Sequence, residues 1–312
     1  MTMSFPNLFQ AERVYGNLNL GPGHFMISPG GFIGLNNRKG TVRFVDPLFG
    51  NNAWDGSLPK RNGLTTQGPK LTIAAALAIA ADYDVIICSW GDINEDNLIV
   101  SQKALKLIGL SNSGLTRGSP LFIGSAAKIL AIEADDVEIA GFGFYQTFAD
   151  TCISIAENPA FYWRTYIHDC GFSGDNTGLW GIKAGAVAAE GPYTIVERCR
   201  FYNLAAGGVR LNSSAMVIKD SIFSVMAGAL GIEDVPNSSS RPDRYILNNK
   251  FITLDNVNAL GVKVTNTPDP GQLMIDGNHF VNFADAAHAI SASGVKPGLI
   301  GLNYLGVTAI PI

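Results

Sequence analysis

I-V-E-R-C-R-F (195–201), V-I-K-D-S-I-F (217–223) and Y-I-L-N-N-K-F (245–251) are three copies of one seven-residue pattern. It returns upstream as E-I-A-G-F-G-F (138–144) and Y-I-H-D-C-G-F (166–172), and downstream as M-I-D-G-N-H-F (274–280). The closing aromatic falls at Phe144, Phe172, Phe201, Phe223, Phe251 and Phe280, so the period is 22 to 29 residues. The second position is aliphatic in all six copies: Ile139, Ile167, Val196, Ile218, Ile246 and Ile275. The fifth runs Phe142, Cys170, Cys199, Ser221, Asn249, Asn278. Between the copies lies a second motif: C-I-S-I (152–155), G-I-K-A (181–184), G-V-R-L (208–211), G-I-E-D (231–234), G-V-K-V (261–264) and A-I-S-A (289–292). Each period therefore holds at least two short β-branched strands separated by turn residues, without helical periodicity.

A repeat of this length built from short strands is what a parallel β-helix requires. Equivalent strands of successive coils sit ~4.8 Å apart, so like side chains stack on like. The pattern predicts an aliphatic ladder, a Phe ladder that supplies much of the stability, and a mixed Cys/Ser/Asn ladder. A buried Asn in such a stack satisfies its amide on turn backbone or on the next Asn. Leucine-rich repeats are excluded by the missing Leu-x-x-Leu-x-Leu spacing, and propeller blades need about 40 residues. Two earlier coils read as N-L-I-V (97–100) with A-L-K-L-I-G-L (104–110), and P-L-F-I (120–123) with K-I-L-A-I-E-A (128–134). G-L-I-G-L-N-Y (298–304) reads as a last, incomplete coil, and V-P-N-S-S-S-R-P-D-R (235–244) as a projecting insertion.

The 312 residues carry 22 basic and 26 acidic side chains, and 15% are charged, against roughly 25% in an average globular protein. Disorder is excluded by this composition. A net charge of −4 without a basic cluster argues against nucleic acid as a partner. The longest apolar stretch, Leu71 to Ala81, is cut by Asp82 and Asp84, so no membrane span is expected. The opening M-T-M-S-F-P-N-L-F-Q has neither a basic nor an apolar signal region, so secretion is not expected. Cys88, Cys152, Cys170 and Cys199 form no C-x-x-C pair, and His24, His168, His279 and His288 are scattered, so no zinc site is expected. The cysteines read as buried free thiols, although Cys170 and Cys199, as ladder neighbours, are near enough in principle for a disulfide.

L-T-I-A-A-A-L-A-I-A-A-D-Y (71–83) predicts one helix, placed to cap the exposed apolar end of the first coil. It is preceded by T-V-R-F-V-D-P-L-F-G-N-N-A-W-D-G (41–56) and followed by D-V-I-I-C-S-W-G-D-I-N-E-D-N-L-I-V (84–100) and L-K-L-I-G-L (105–110). This succession resembles the opening of pectate-lyase-like right-handed β-helix proteins, and the resemblance extends over roughly 41–304. It implies an all-β fold, a right-handed parallel β-helix over 97–312. A segment over 41–96 would carry the capping helix, and residues 1–40 would form an extended N-terminal arm. Activity does not follow, because that superfamily includes lyases, hydrolases, adhesins and virion proteins.

A lyase of this fold would need carboxylates for calcium and a base beside them. A hydrolase would need carboxylates ~5–9.5 Å apart on one face. The candidates are Asp135, Asp136, His168, Asp169, Arg198, Arg210, Lys219 and Asp220. Aligned coils place His168, Glu197, Lys219 and Asp276 in one column and Asp169, Arg198 and Asp220 in the next. These columns alternate in sign, which suits ion pairing along the solenoid. Asp135-Asp136 reads as turn chemistry. Asp92, Asn94, Glu95, Asp96 and Asn97 form an acidic loop that could hold Ca²⁺, but its spacing is not that of an EF-hand. Trp54, Trp90, Trp163 and Trp180 suit either a sugar platform or cap packing.

No catalytic residue, cofactor or metal is expected from this reading. The Gly/Pro-rich lead and the bare β-helix are similar to phage virion proteins. The first expectation is a head decoration, or cement, protein that binds the major capsid protein and its own copies as a homotrimer. It would be assembled into the virion in the host cytoplasm. Phe5, Leu8, Phe9, Tyr15 and Phe25 would be its contacts with the capsid or neighbouring subunits. The alternative is a tailspike that binds or depolymerises host surface polysaccharide.

Overall fold

Tight corners join the short strands into coils, and the coils stack into three sheets. The structure is a computed structural model. It describes residues 40–306 apart from 111–119, 156–163, 176, 186–192, 212–215, 236–243, 254–257, 266–272 and 292–300, with the backbone of Phe25–Ser28, Gly31–Gly34 and Thr308–Ala309. One coil runs Thr165–His168, Gly171–Gly174, Trp180–Ala184, and the next Thr194–Glu197, Arg200–Tyr202, Gly207–Leu211. Sheet I has nine strands, from Val42–Val45 and Val85–Cys88 to Leu273–Asp276. Sheet II has ten, from Gly91–Ile93 to Tyr304–Leu305 and Thr308–Ala309, and sheet III eight, from Leu98–Val100 to Ile290–Ser291. Coil-to-coil pairing is parallel throughout; Tyr304–Leu305 with Thr308–Ala309 is antiparallel, as is the hairpin of Phe25–Ser28 with Gly31–Gly34.

The expected ladders form. Ile139, Ile167, Val196, Ile218, Ile246 and Ile275 stand in register in sheet I, all buried. The rings from Phe144 to Phe280 stack with centroids 4.6 to 5.0 Å apart, which is the coil spacing itself. Phe122 extends the stack by one rung, 5.1 Å from Phe144. At the corner between sheets I and II, Asn249 Nδ2 donates to Ile218 O (2.9 Å), while Asn278 Oδ1 accepts from the Asn249 backbone N–H (2.9 Å). Asn278 repeats this with Ile246 and with Asn303, which ends the ladder. Cys170 and Cys199 take the same position as free buried thiols donating weakly to backbone carbonyls.

The residue before this ladder turns the corner in the left-handed region. It is Gly141, Asp169, Arg198, Asp220, Asn248 and Gly277 in successive coils, with φ between 51° and 75°. Gly, Asn and Asp are the residues that tolerate such a φ. Arg198 is the exception. In sheet III, the glycines that open the second motif make room for the Phe stack. A Cβ at Gly181, Gly208, Gly231 or Gly261 would lie 2.5 to 2.7 Å from the ring of Phe201, Phe223, Phe251 or Phe280.

The capping helix α1 is Ile73–Leu77, shorter than the 71–83 expected. Beyond Ala78 the chain tightens to Ile79 N–H to Ala76 O and Ala80 N–H to Leu77 O bonds, because it must turn to deliver Val85 into sheet I. Ile73, Ala76 and Leu77 cover the end of the core. A second short helix, α2 (Ala286–Ala289), had no sequence signal. Phe5, Leu8, Phe9 and Tyr15 lie outside the described residues, and Phe25 is placed by backbone only.

Candidate functional site

Strand alternation turns Lys106, Glu138 and Tyr166 outward from sheet I in one column. Ala140, His168, Glu197, Lys219, Leu247 and Asp276 form the neighbouring column. The left-handed corner brings Asp169 and Arg198 alongside. On one flank the sheet carries a separate apolar cluster of Phe44, Val85, Ile87, Ile108 and Ala140. The ionisable groups begin where that cluster ends.

His168 is their centre, with its side chain 7% exposed. Its Nδ1 lies 2.7 Å from Asp169 Oδ2 and its Nε2 3.2 Å from Glu138 Oε1. Tyr166 stacks on the imidazole at 4.2 Å and donates its hydroxyl to Glu197 Oε2 (2.6 Å). Arg198 donates from Nε and Nη2 to Asp169 (2.9 and 3.0 Å) and also pairs with Glu197. Lys106 pairs with Glu138, and Lys219 with Glu197 at 3.4 Å. Burial alone would lower the His168 pKa, but the hydrogen bonds to Asp169 and Glu138 outweigh it and raise it to about 9. Burial likewise opposes ionisation of Asp169, yet the His168 and Arg198 contacts hold it at about 2. Glu138 is lowered against its burial by His168 and Lys106. At neutral pH the face thus presents fixed carboxylates around an imidazolium, a guanidinium and a phenol. Such groups bind hydroxyl-rich ligands through paired hydrogen-bond donors and acceptors.

The column reading from sequence holds: His168, Asp169, Arg198, Glu197 and Lys219 come together and pair along the axis. Glu138, Lys106 and Tyr166 were missed. Register would have shown them, since they precede the inward aliphatic residue as Glu197 follows it. Asp136 pairs with Arg164 (2.7 Å) and Asp135 approaches Lys103 (3.9 Å), both in the turn before sheet I. Arg210 lies on sheet III, paired with Glu233 (3.1 Å), which also meets Lys263 (3.3 Å). The acidic loop serves caps: Glu95 accepts from Ile73 and Ala74 N–H (2.8 and 2.7 Å), and Asp96 from Ser125 and Ala126. Among the described residues, no group of three His, Cys, Asp or Glu is placed to hold a metal. Trp54 packs under Arg61 and Trp180 is buried beside Arg210, whereas Trp90 is half exposed. Trp163 lies outside the described residues.

Neither protein-family models nor the curated proteins give a match. Solved structures do. A pectin methylesterase in complex with a hexasaccharide superposes with a TM-score of 0.51 at 14% identity, over 78% of this chain and 80% of its own. The deglycosylated pectin methylesterase of Aspergillus niger gives 0.48 at 12% identity, over 86% and 85%. The likeness fixes the fold, a right-handed parallel β-helix. It also corrects the expectation of a protein without enzymatic activity. The structural neighbour is an enzyme, so this architecture gives no ground for catalytic silence. No capsid or virion protein stands among these neighbours.

Proposed function

We propose that this β-helix binds and modifies a polysaccharide at the outward face of sheet I. The observation that carries the reading is the cluster of Glu138, Asp169 and Glu197 around His168 and Arg198, where two ionised carboxylates share one imidazolium. The hexasaccharide bound by a neighbour of the same fold supports polysaccharide as the ligand class. The test is binding and product release from a polysaccharide panel, reading reducing ends, unsaturated ends and ester cleavage. Asp169→Asn and His168→Asn should abolish turnover while a Lys183→Ala control on sheet III keeps it. A wild-type protein that neither binds nor alters any polysaccharide overturns the proposal.

A second reading keeps the bacteriophage setting: a virion β-helix on head or tail, trimeric, with residues 1–40 as its attachment arm. Its support is the exposed apolar group at the opening end of the solenoid, where Leu48, Phe49 and Trp90 are 45%, 74% and 46% exposed. Deleting residues 1–30 should leave the coils folded and abolish incorporation into particles. Normal occupancy of the truncated protein on particles would end this reading.

A further inference from the structure

We infer that Cys170 and Cys199 are a redox-sensitive pair, which a small hydroperoxide joins as a disulfide between two successive coils. The crosslink fastens the coil that carries His168 and Asp169 to the coil that carries Glu197 and Arg198. It goes beyond the polysaccharide reading and does not depend on it. Register fixes the pair. His168 stands against Glu197, and Gly171 against Arg200. Cys170, one residue before Gly171, and Cys199, one before Arg200, are therefore neighbours across a single rung. One rung is ~4.8 Å, inside the roughly 4.4–6.8 Å that disulfides span between Cα atoms. Both side chains are buried in the core, and the two thiols are hydrogen-bond partners of each other.

Hydrogen bonding does not account for cysteine at these rungs. Further along the same ladder, each side chain accepts a backbone N–H from the coil before it. Ser221 Oγ accepts from Cys199 (3.1 Å) and Asn249 Oδ1 from Ser221 (3.0 Å). Asn249 and Asn278 also donate to a carbonyl of the coil before, each at 2.9 Å. Sulfur is weak in both roles. Cys170 Sγ reaches His168 O at 3.2 Å and Ile139 O at 3.8 Å, and Cys199 Sγ reaches Glu197 O at 3.4 Å and Ile167 O at 3.7 Å. What two sulfurs on consecutive rungs add is a covalent bond that Ser or Asn cannot form. The other two cysteines are out of reach. Cys88 belongs to a coil three rungs before that of Cys170, about 14 Å along the axis. Cys152 stands at the corner between sheets II and III, bonded through its backbone to Trp180 O and Leu130 N–H.

Cys170 is 1% exposed and Cys199 0%, which suits a small hydroperoxide as the oxidant rather than a bulky disulfide. Burial opposes ionisation of both thiols. At Cys170 the contacts with Cys199, the Phe142 N–H and His168 outweigh it and lower the pKa, whereas Cys199 is pushed up further by Cys170. Cys170 is therefore the attacking sulfur. Its thiolate takes one oxygen of hydrogen peroxide and becomes a sulfenic acid as the O–O bond breaks. The hydroxide that leaves takes up the proton Cys170 gave up and is released as water. The Cys199 sulfur then attacks the Cys170 sulfur. The S–O bond breaks, and the hydroxyl leaves with the Cys199 proton as a second water. Two thiols and one peroxide become one disulfide and two waters.

The experiment exposes the folded full chain to hydrogen peroxide, then denatures it, alkylates it with iodoacetamide and maps it by mass spectrometry. Before alkylation the mass should fall by about 2 Da, and a peptide pair should link Cys170 to Cys199. Cys88 and Cys152 should be alkylated. The oxidised protein should melt about 5 °C higher or more, because the bridge closes a full coil of unfolded chain. Dithiothreitol should reverse both changes. Cys199→Ser should abolish the bridge and the rise in melting temperature, and leave Cys170 to oxidise further to the sulfinic acid. Serine already holds the next rung at Ser221 with both of its hydrogen bonds, so this variant should fold. Alkylation of both Cys170 and Cys199 after peroxide overturns the inference. So does a bridge through Cys88 or Cys152, or a wild-type Cys170 that carries oxygen without a link. A linked protein that melts no higher than the reduced one overturns the fastening of the two coils. None of these readouts involves polysaccharide, so the pair and the sheet I reading stand or fall separately.

Discussion

Arg244 is the largest fully buried side chain among the described residues, and its partner Asp234 is equally buried. Arg244 Nη1 meets Asp234 Oδ2 at 2.7 Å, but among the described residues Arg244 Nε and Nη2 and Asp234 Oδ1 have no partner. Such a half-satisfied pair loses more solvation than its attraction returns. The coils on either side give the alternative: Leu211 and Val264 flank Asp234, and Met216 and Leu273 flank Arg244. Asp234→Leu alone should cost about 3–5 kcal/mol, because it strands a buried guanidinium. Asp234→Leu with Arg244→Met should be neutral or stabilising by about 1–4 kcal/mol in denaturant melts. A double variant as unstable as the single would show that the pair contributes net stability. His168 has its own pH signature. Its folded pKa of about 9 lies above the ordinary 6.5, so its contribution is complete below about 6.5 and lost as pH rises through 9. Asp169, held at about 2, contributes fully above its ordinary 3.8 and loses this as pH falls through 2. The melting temperature should therefore decline between pH 6.5 and 9, more in the wild type than in His168→Gln. An NMR titration of His168 with a midpoint near 6.5 would mean that the network does not hold in solution.

Among the elements, the Phe stack and the glycine column are one device. Phe201 is 3% exposed and stacked on both sides, so Phe201→Ala should cost about 3–5 kcal/mol. Gly208→Ala should destabilise too, because its Cβ would lie 2.6 Å from the Phe223 ring and 2.7 Å from Gly231 O. Adding Phe223→Leu should relieve only the ring clash, and a Gly208→Ala protein that melts like the wild type would show that the two sheets can separate. The ladders were legible because every coil repeats them. Phe, Ile and Asn recur at positions whose neighbours along the axis are their own copies. The helix was legible in kind but not in length, since alanine propensity does not register the turn needed to reach Val85. The acidic loop looked like a ligand set because Glu95 finds its use across 21 or more residues of sequence, at the α1 N-terminus. Half of the candidate site was legible as alternating charge in columns. The other half, Glu138 and Tyr166, depends on which residue faces outward before the aliphatic one. That needs the strand register.

At the scale of the whole molecule, the solenoid is a stack whose stability is shared between neighbouring coils, and its two ends are the only places where strand backbone and ring faces lack a next coil. The opening end is covered by α1, held by the Glu95 carboxylate and by Asn52 Oδ1 at Leu71 and Thr72 N–H. The far end is closed in three ways. Asn303 Oδ1 accepts from Asn278 N–H (3.1 Å), Tyr304–Leu305 pairs with His279–Val281, and α2 lies against Leu260–Val264. Thr308–Ala309 then folds back antiparallel, which replaces a parallel edge with a hairpin. Deleting residues 301–312 removes Asn303 and both closing strands at once. It leaves the Asn278 N–H without its acceptor and the edge of His279–Val281 open. An open edge of this kind is a template for pairing with another chain. The truncated protein should melt at lower temperature than the intact chain and form larger, concentration-dependent species in light scattering behind a sizing column. Retention of the intact protein's mass and melting temperature would show that α2 alone closes the stack.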